Sequence, residues 1–255
     1  MSHATYLHLL SLTLLCARVT TVRGDADDLC SDETDPLTPD TARKMCETAR
    51  QLRGVEAAIE SAVAAATASA LGASEAKARA DDAVKRAESK QRGAAAAAKE
   101  AAEKAGAASQ RAAAAVDEAK GHAAVLTVMV KEAAQTSGET LQQLAECDKE
   151  SEEVRSVAGK CTGTAAGVTS KSLEAAINAF AETQNGDAAE IRGHGATLWS
   201  TLRSLEDSAQ TAEVARVEAE EAEGKASDAA DANRAELAGG WALPLLAALH
   251  LSLAQ

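Results

Sequence analysis

The stretch Met45–Ala66, MCETARQLRGVEAAIESAVAAA, decides the fold class because its apolar residues repeat at helical spacing. Every seventh residue of this stretch is apolar: Met45, Leu52, Ile59 and Ala66. Such a heptad repeat is typical of a helix that packs lengthwise against other helices. The stretch therefore predicts a long helix in a helical bundle.

The composition extends this prediction to the whole chain. Alanine accounts for 64 of the 255 residues, and no proline occurs between Asp40 and Leu243. Alanine is the best helix former and proline the worst, and no alternating strand pattern is present. We expect an all-α fold: an elongated antiparallel bundle of about three long helices with a small distal head. The predicted helices are three long ones over residues 40–91, 94–158 and 187–231, and a short one over residues 170–184.

Two glycines compete for the turn between the first two long helices. Lys90 and Arg92 before Gly93 are typical of a helix end, where cations and then a glycine are favoured. The rival turn lies at Gly72. Folding back at Gly93 brings Cys46 within about two helical turns of Cys147, whereas a turn at Gly72 does not. The Gly93 turn is therefore preferred.

The amino terminus has the pattern of a secretory signal peptide. An apolar segment over Leu7–Leu15 is followed by Val22-Arg23-Gly24, which suits cleavage before Asp25. We expect residues 1–24 to be removed, and the alternative is an N-terminal helix that the mature protein retains.

The carboxyl terminus ends in an apolar segment without acids, lysine or arginine, Trp241–Gln255. It is shorter than the roughly 20 residues of a membrane-spanning helix. Small residues, a polar spacer and an apolar tail are together typical of a signal for a glycosylphosphatidylinositol (GPI) anchor. We expect attachment at Asp231, with Asn233 and Asp228 as alternatives. Removal of residues 232–255 would leave residues 25–231 as the ectodomain.

Four cysteines remain once the signal peptide and Cys16 are removed: Cys30, Cys46, Cys147 and Cys161. An even number of cysteines in a secreted chain favours disulfides. We expect Cys46 to pair with Cys147 or Cys161, and Cys30 to take the cysteine left over. The competing arrangement has two local bridges, Cys30–Cys46 and Cys147–Cys161. A metal site is disfavoured because no two cysteines are spaced as CxxC.

The chain offers little catalytic chemistry. Its 26 Lys and Arg against 39 Asp and Glu give a net charge of −13, which disfavours binding to nucleic acid. The predicted ectodomain contains only two histidines, His122 and His194, and acidic pairs such as Glu152-Glu153 suit a solvated helix face. No catalytic, cofactor-binding or metal-binding residue is predicted, and we expect no enzyme activity.

The alanine-rich segments AAIESAVAAATASA (57–70) and GAAAAAKEAAEKAGAASQRAAAAVDEA (93–119) carry a resemblance to a known family. A secreted, GPI-tailed helical chain of this composition resembles the alanine-rich surface proteins of African trypanosomes, of the glutamic acid/alanine-rich and brucei alanine-rich types. The resemblance covers the whole chain and implies a GPI-anchored coat protein in the outer leaflet of the plasma membrane. It implies neighbouring coat molecules as partners and a fold related to variant surface glycoproteins and the haptoglobin–haemoglobin receptor.

Two other functions stay open from the sequence. A GPI-anchored receptor would bind an unknown host or vector ligand at the distal head, where Phe180 is the aromatic candidate. The alternative role of Phe180 is to fill the core beneath the short helix. A soluble, alanine-rich stress-protective protein would need both terminal segments to be retained or irrelevant.

Overall fold

The computed structural model describes residues 37–89, 92–184 and 188–240, and in this part of the chain every regular element is a helix. The helices are α1 (Pro39–Glu88), α2 (Arg92–Glu146), α3 (Glu152–Gly159), α4 (Ser170–Ala181) and α5 (Ala188–Gly240). The predicted all-α bundle is confirmed. The predicted signal peptide 1–24, Cys30 and the residues after Gly240 lie outside the described residues.

The first two long helices end and begin a few residues before their predicted bounds. Helix α1 ends at Glu88 and α2 already begins at Arg92, so Gly93 lies in the first turn of α2. The alternative prediction of a turn at Gly72 is wrong, because Gly72 lies inside α1. A Cβ at Gly72 would lie 2.9 Å from Cδ of Arg216, so the missing side chain makes room for α5 rather than for a turn.

The predicted single helix over 94–158 is divided into α2 and α3. The N–H of Glu150 donates to the Cys147 carbonyl at 3.2 Å, which forms a turn between the two helices. Ser151 then caps α3 by accepting the N–H of Val154 at 3.2 Å. The buried Glu150 carboxylate also accepts the N–H of Leu37, at 3.0 and 3.1 Å, which ties this turn to the start of α1.

The other two predicted boundaries also differ. The short helix ends at Ala181 rather than residue 184, and it begins with a capping box in which Thr169 and Ser172 each accept the other's backbone N–H. Helix α5 continues past residue 231 to Gly240. Residues 232–238 contain three alanines and no proline, which favours continued helix.

The described chain divides into two compact units. Unit 2 contains Ala64–Asp117 and the described residues from Ser208 onward. Its core consists of alanines from α1, α2 and α5. One cluster contains Ala80, Ala83, Ala87, Ala98, Ala101, Ala102, Ala105, Ala222, Ala226 and Ala230, and the next contains Ala73, Ala76, Ala108, Ala112, Ala215 and Ala219. From the first cluster to the second the numbers fall in α1 and α5 and rise in α2, so α2 is antiparallel to both.

Unit 1 contains the described residues up to Val63 together with Glu118–Asp207, and its core is built from larger side chains. The largest fully buried side chains of the described residues all lie in this unit: Leu52, Val55, Leu126, Leu144, Val154, Leu173, Ile177, Leu198, Leu202 and Leu205. Thr48 of α1 donates to the Ala176 carbonyl of α4 at 3.1 Å. Glu206 of α5 accepts the N–H and the hydroxyl of Ser170 at 2.8 and 2.6 Å, so α4 is joined to both long helices.

Helix α1 is also long and apolar enough to cross a membrane by length and composition, with an 18-residue window of mean hydropathy 1.2. A core helix of a soluble bundle meets the same criterion. Here Leu52, Val55 and Ala66 of α1 are buried inside the protein. In that window 22 % of the residues are buried inside the protein, and a single helix that meets this criterion is weak evidence for a membrane span.

Candidate functional site

A disulfide joins α1 to the segment between α3 and α4. Cys46 and Cys161 are bonded, with their Cα atoms 5.5 Å apart and a sequence separation of 115. This is one of the two pairings expected for Cys46, and it excludes the two local bridges. Cys147 is disulfide-bonded as well. The pairing of Cys30 with Cys147 stays a prediction.

The segment that follows the disulfide, residues 160–169, lies against α1, and we call it the α3–α4 loop. The N–H of Ala165 donates to the Arg50 carbonyl at 2.9 Å. Gly54 of α1 lies beneath the same residue: a Cβ there would be 2.4 Å from the Ala165 carbonyl oxygen and 2.5 Å from Cγ2 of Val168. Only glycine leaves room for the loop at this point. The side chain of Arg53 makes a further contact with this segment, because its Nη2 donates to the Cys161 carbonyl at 3.3 Å.

An open cleft of about 480 Å³ lies between α1 and α2 in unit 1, with the α3–α4 loop contributing to its wall. We call it the α1–α2 cleft. Its lining combines apolar side chains with two cations and one acid: Leu52, Arg53, Glu56, Ile59, Thr127, Val130, Lys131, Ala134 and Thr164. Its volume lies within the range of about 300–1,000 Å³ usual for small-molecule sites.

The cations of the cleft lack acidic partners within the part of the chain that the structure describes. Neither Arg53 nor Lys131 forms an ion pair there. Nε of Arg53 is buried and has no hydrogen-bond partner among the same residues. This donor is enclosed by protein atoms, so it is an unpaired group of the interior, and Arg53 lines the cleft through its other atoms.

The aromatic candidate for ligand binding lies in the core. Phe180 is 6 % exposed, so it fills the interior of unit 1, as in the alternative role expected for it. Trp199 is half-buried and packs beside Gly195. A Cβ added at Gly195 would lie 2.5 Å from the ring of Trp199. The exposed large apolar residues of the described chain are aliphatic: Leu71, Val125, Val128, Val214 and Val217.

The three candidate anchor residues lie on one helix. Asp228, Asp231 and Asn233 all fall within α5, and the side chains of both aspartates are exposed. Attachment of a lipid at any of them stays a prediction. Among the described residues, no group of three or more His, Cys, Asp or Glu is arranged to hold a metal ion.

Sequence reasoning missed the α1–α2 cleft and the role of Gly54. A signal for Gly54 exists, since glycine costs about 1 kcal/mol in a helix interior and is often kept there for packing. Gly54 interrupts the apolar repeat between Leu52 and Val55. No local signal marks the cleft, because its walls come from segments far apart in the sequence.

Comparison with known families gives one family match. The model of the glutamic acid/alanine-rich protein of Trypanosoma matches residues 40–224. The crystal structure of that protein from Trypanosoma congolense is similar at 51 % sequence identity with a TM-score of 0.70, covering 72 % of this chain and 100 % of that one. The search of curated protein sequences found no match.

Two further solved structures share the fold. A metacyclic invariant surface protein from Trypanosoma brucei is 26 % identical with a TM-score of 0.72, and the match covers 77 % of this chain and 97 % of that one. The Trypanosoma brucei factor H receptor, solved bound to domain D5 of bovine factor H, is 27 % identical with a TM-score of 0.70. That match covers 75 % of this chain and 94 % of the receptor.

Proposed function

Because the chain belongs to the glutamic acid/alanine-rich protein family of Trypanosoma, we propose that it is a coat protein in a dense layer on the parasite surface. The observation that carries this proposal is the family match over residues 40–224, which includes most of the described helical bundle. A cell-surface location follows from the relatives, which are trypanosome surface proteins. The proposed role is structural and involves no catalysis.

The core of unit 2 supports a coat role. Helix axes lie about 8–10 Å apart depending on the side chains between them, and alanine puts these helices at the close end of that range. A narrow cross-section in this unit favours many molecules per area of membrane. The net charge of −13 makes neighbouring copies repel one another, which favours a layer of separate molecules.

The proposed attachment is a GPI lipid in the outer leaflet, joined at Asp231, with Asn233 and Asp228 as alternatives. The sequence pattern of the two termini supports it, with cleavage after Gly24 and removal of residues 232–255. A single anchored chain needs no membrane-spanning segment of its own.

Treatment of live cells with a GPI-specific phospholipase tests the attachment. We expect the protein to be released into the medium, whereas a soluble stress-protective protein would not respond. Mass spectrometry of the released protein should find Asp25 as its first residue and a last residue near Asp231. Peptides from Ala242–Gln255 in the native protein would contradict the anchor.

A surface receptor is the second candidate function, and a specific likeness favours it. The factor H receptor shares the fold at 27 % identity and was solved with a bound protein domain. The burial of Phe180 removes the aromatic residue that a distal binding site was expected to use. Quantitative mass spectrometry of surface copy number separates the two functions: a coat requires enough molecules to cover the membrane, whereas a receptor works at far lower density.

A further inference from the structure

We propose that the α1–α2 cleft binds an amphipathic carboxylate, a small molecule with one carboxylate on an apolar chain. The carboxylate pairs with Arg53 and Lys131, and the apolar chain lies along Leu52, Ile59 and Val130. This ligand site is independent of whether the protein serves as a coat or a receptor.

The charges of the cleft select the class of ligand. Two cations, Arg53 and Lys131, and one acid, Glu56, line it, so the lining carries one net positive charge. That balance suits a monoanion better than a phosphate with two negative charges. Nη2 of Arg53 already donates to the Cys161 carbonyl and Nε is enclosed by protein atoms, so Nη1 is the donor that remains for a ligand. A carboxylate supplies acceptors of the geometry that a guanidinium prefers.

The apolar part of the lining selects the rest of the ligand. Leu52 and Val130 are buried at 0 % and 4 % exposure, and Ile59 at 6 %. All three lie in the lining of the cleft, where Val130 and Ile59 keep a small exposed area. An apolar chain placed on this surface is removed from water, which stabilises the complex by about 25 cal/mol for each Å² of apolar surface buried.

The wall of the cleft is held in place by long-range contacts. Thr164 lies in the α3–α4 loop, three residues after the disulfide-bonded Cys161 and next to Ala165, which packs on Gly54. The cleft is therefore largely formed before any ligand binds, which lowers the entropic cost of binding.

Titration of the full-length protein with decanoate, below its micelle concentration, tests the proposal. Methyl NMR should show saturable shifts at Leu52, Ile59 and Val130, and calorimetry should give the affinity. Decanol and decyltrimethylammonium carry the same chain with no charge and with a positive charge, and we expect both to bind at least tenfold more weakly.

Two matched variants separate the cleft from other surfaces. Lys131→Met keeps the aliphatic length and removes the charge, and we expect decanoate to bind about tenfold more weakly, as for loss of one charge-assisted hydrogen bond. Lys171→Met changes an exposed lysine of α4 that does not line the cleft, and it should leave binding unchanged. Circular dichroism checks that both variants fold.

Several results would overturn the proposal. These are the absence of saturable binding, equal affinities for decanoate and decanol, or methyl shifts centred outside the cleft. Unchanged affinity in Lys131→Met would do the same, because that exposed side chain can be replaced without loss of the fold.

Discussion

Gly54 is the residue on which the docking of the α3–α4 loop depends. We expect Gly54→Ala to destabilise the protein by about 1–3 kcal/mol, because the new Cβ would meet the backbone oxygen of Ala165 at 2.4 Å. The higher helix propensity of alanine offsets only about 1 kcal/mol of this. Chemical denaturation of the purified protein measures the change.

Gly121→Ala is the matched control for this substitution. Gly121 lies in α2, is exposed, and a Cβ there would have no neighbour within 4 Å. We expect this variant to be more stable by up to about 1 kcal/mol, since only the helix propensity changes. Equal effects of the two substitutions would show that the loop does not press on Gly54.

Glu213 is the residue whose charge most clearly makes stability depend on pH. Hydrogen bonds from Arg216 and Ser69 lower the pKa of Glu213 from 4.5 to about 2. A lowered folded-state pKa stabilises the fold above the unfolded pKa, and this contribution is lost as the pH falls from about 4.5 to about 2. We expect Glu213→Gln to lower the melting temperature at pH 6, with a difference from wild type that disappears near pH 2.

Thermal melts from pH 7 to pH 2 measure this dependence. The effect is small because the Glu213 side chain is half-exposed and solvent screens its partners. Glu221→Gln on the same helix, at an exposed position, serves as the control and should follow the wild-type curve. A Glu213→Gln difference that stays constant down to pH 2 would contradict the assignment.

At the scale of the element, the Cys46–Cys161 disulfide holds the α3–α4 loop on α1. Closing a loop of 115 residues stabilises by about 4–5 kcal/mol in the chain-entropy model, and measured values are often smaller. We expect the double variant Cys46→Ser with Cys161→Ser to unfold at clearly lower denaturant concentration, while its helical content before unfolding stays the same.

A non-reducing peptide map of this variant and of the wild type completes the experiment. We expect the wild type to contain the Cys46–Cys161 peptide and a second bridge between Cys30 and Cys147. The double variant should keep only the second. An unfolding midpoint equal to that of the wild type would show that the disulfide contributes nothing to stability.

At the scale of the whole molecule, the two units differ in how their cores are built. Unit 1 buries leucine, isoleucine and phenylalanine, whereas the helices of unit 2 meet through alanine. Each buried methyl contributes only about 0.8 kcal/mol, so unit 2 depends on many small contacts at close helix spacing. Charged pairs flank these contacts, including Arg79 with Glu223 at 3.2 Å and Arg111 with Glu218.

Ala105→Leu tests this close packing in unit 2. Ala105 is fully buried in the alanine cluster, and we expect the larger side chain to force α2 away from its neighbours at a cost of about 1–3 kcal/mol. Ala107→Leu, two residues away and exposed, should change stability by less than about 0.5 kcal/mol. Equal unfolding free energies for the two variants would contradict a close-packed alanine core, because they would show that a leucine at residue 105 fits without displacing α2.

The sequence by itself determined the helical class, the long helices and the region of the first turn. The heptad from Met45 to Ala66, the alanine content and the lack of proline are local properties, and helix formation responds to local properties. The turn, although a few residues before Gly93, lies where a local helix-end signal was found. The resemblance also identified the family correctly, because composition and apolar pattern persist over the whole chain.

The tertiary structure decided the division of α2 from α3, the choice of Cys161 for Cys46, and the α1–α2 cleft. Each depends on groups more than 60 residues apart in the sequence, such as Glu150 with Leu37 or Gly54 with Ala165. The break before Ser151 was not predicted, and it is accompanied by the contact of the Glu150 carboxylate with the N–H of Leu37, 113 residues earlier. Local propensity does not encode such long-range contacts, because they form only when packing brings distant segments together.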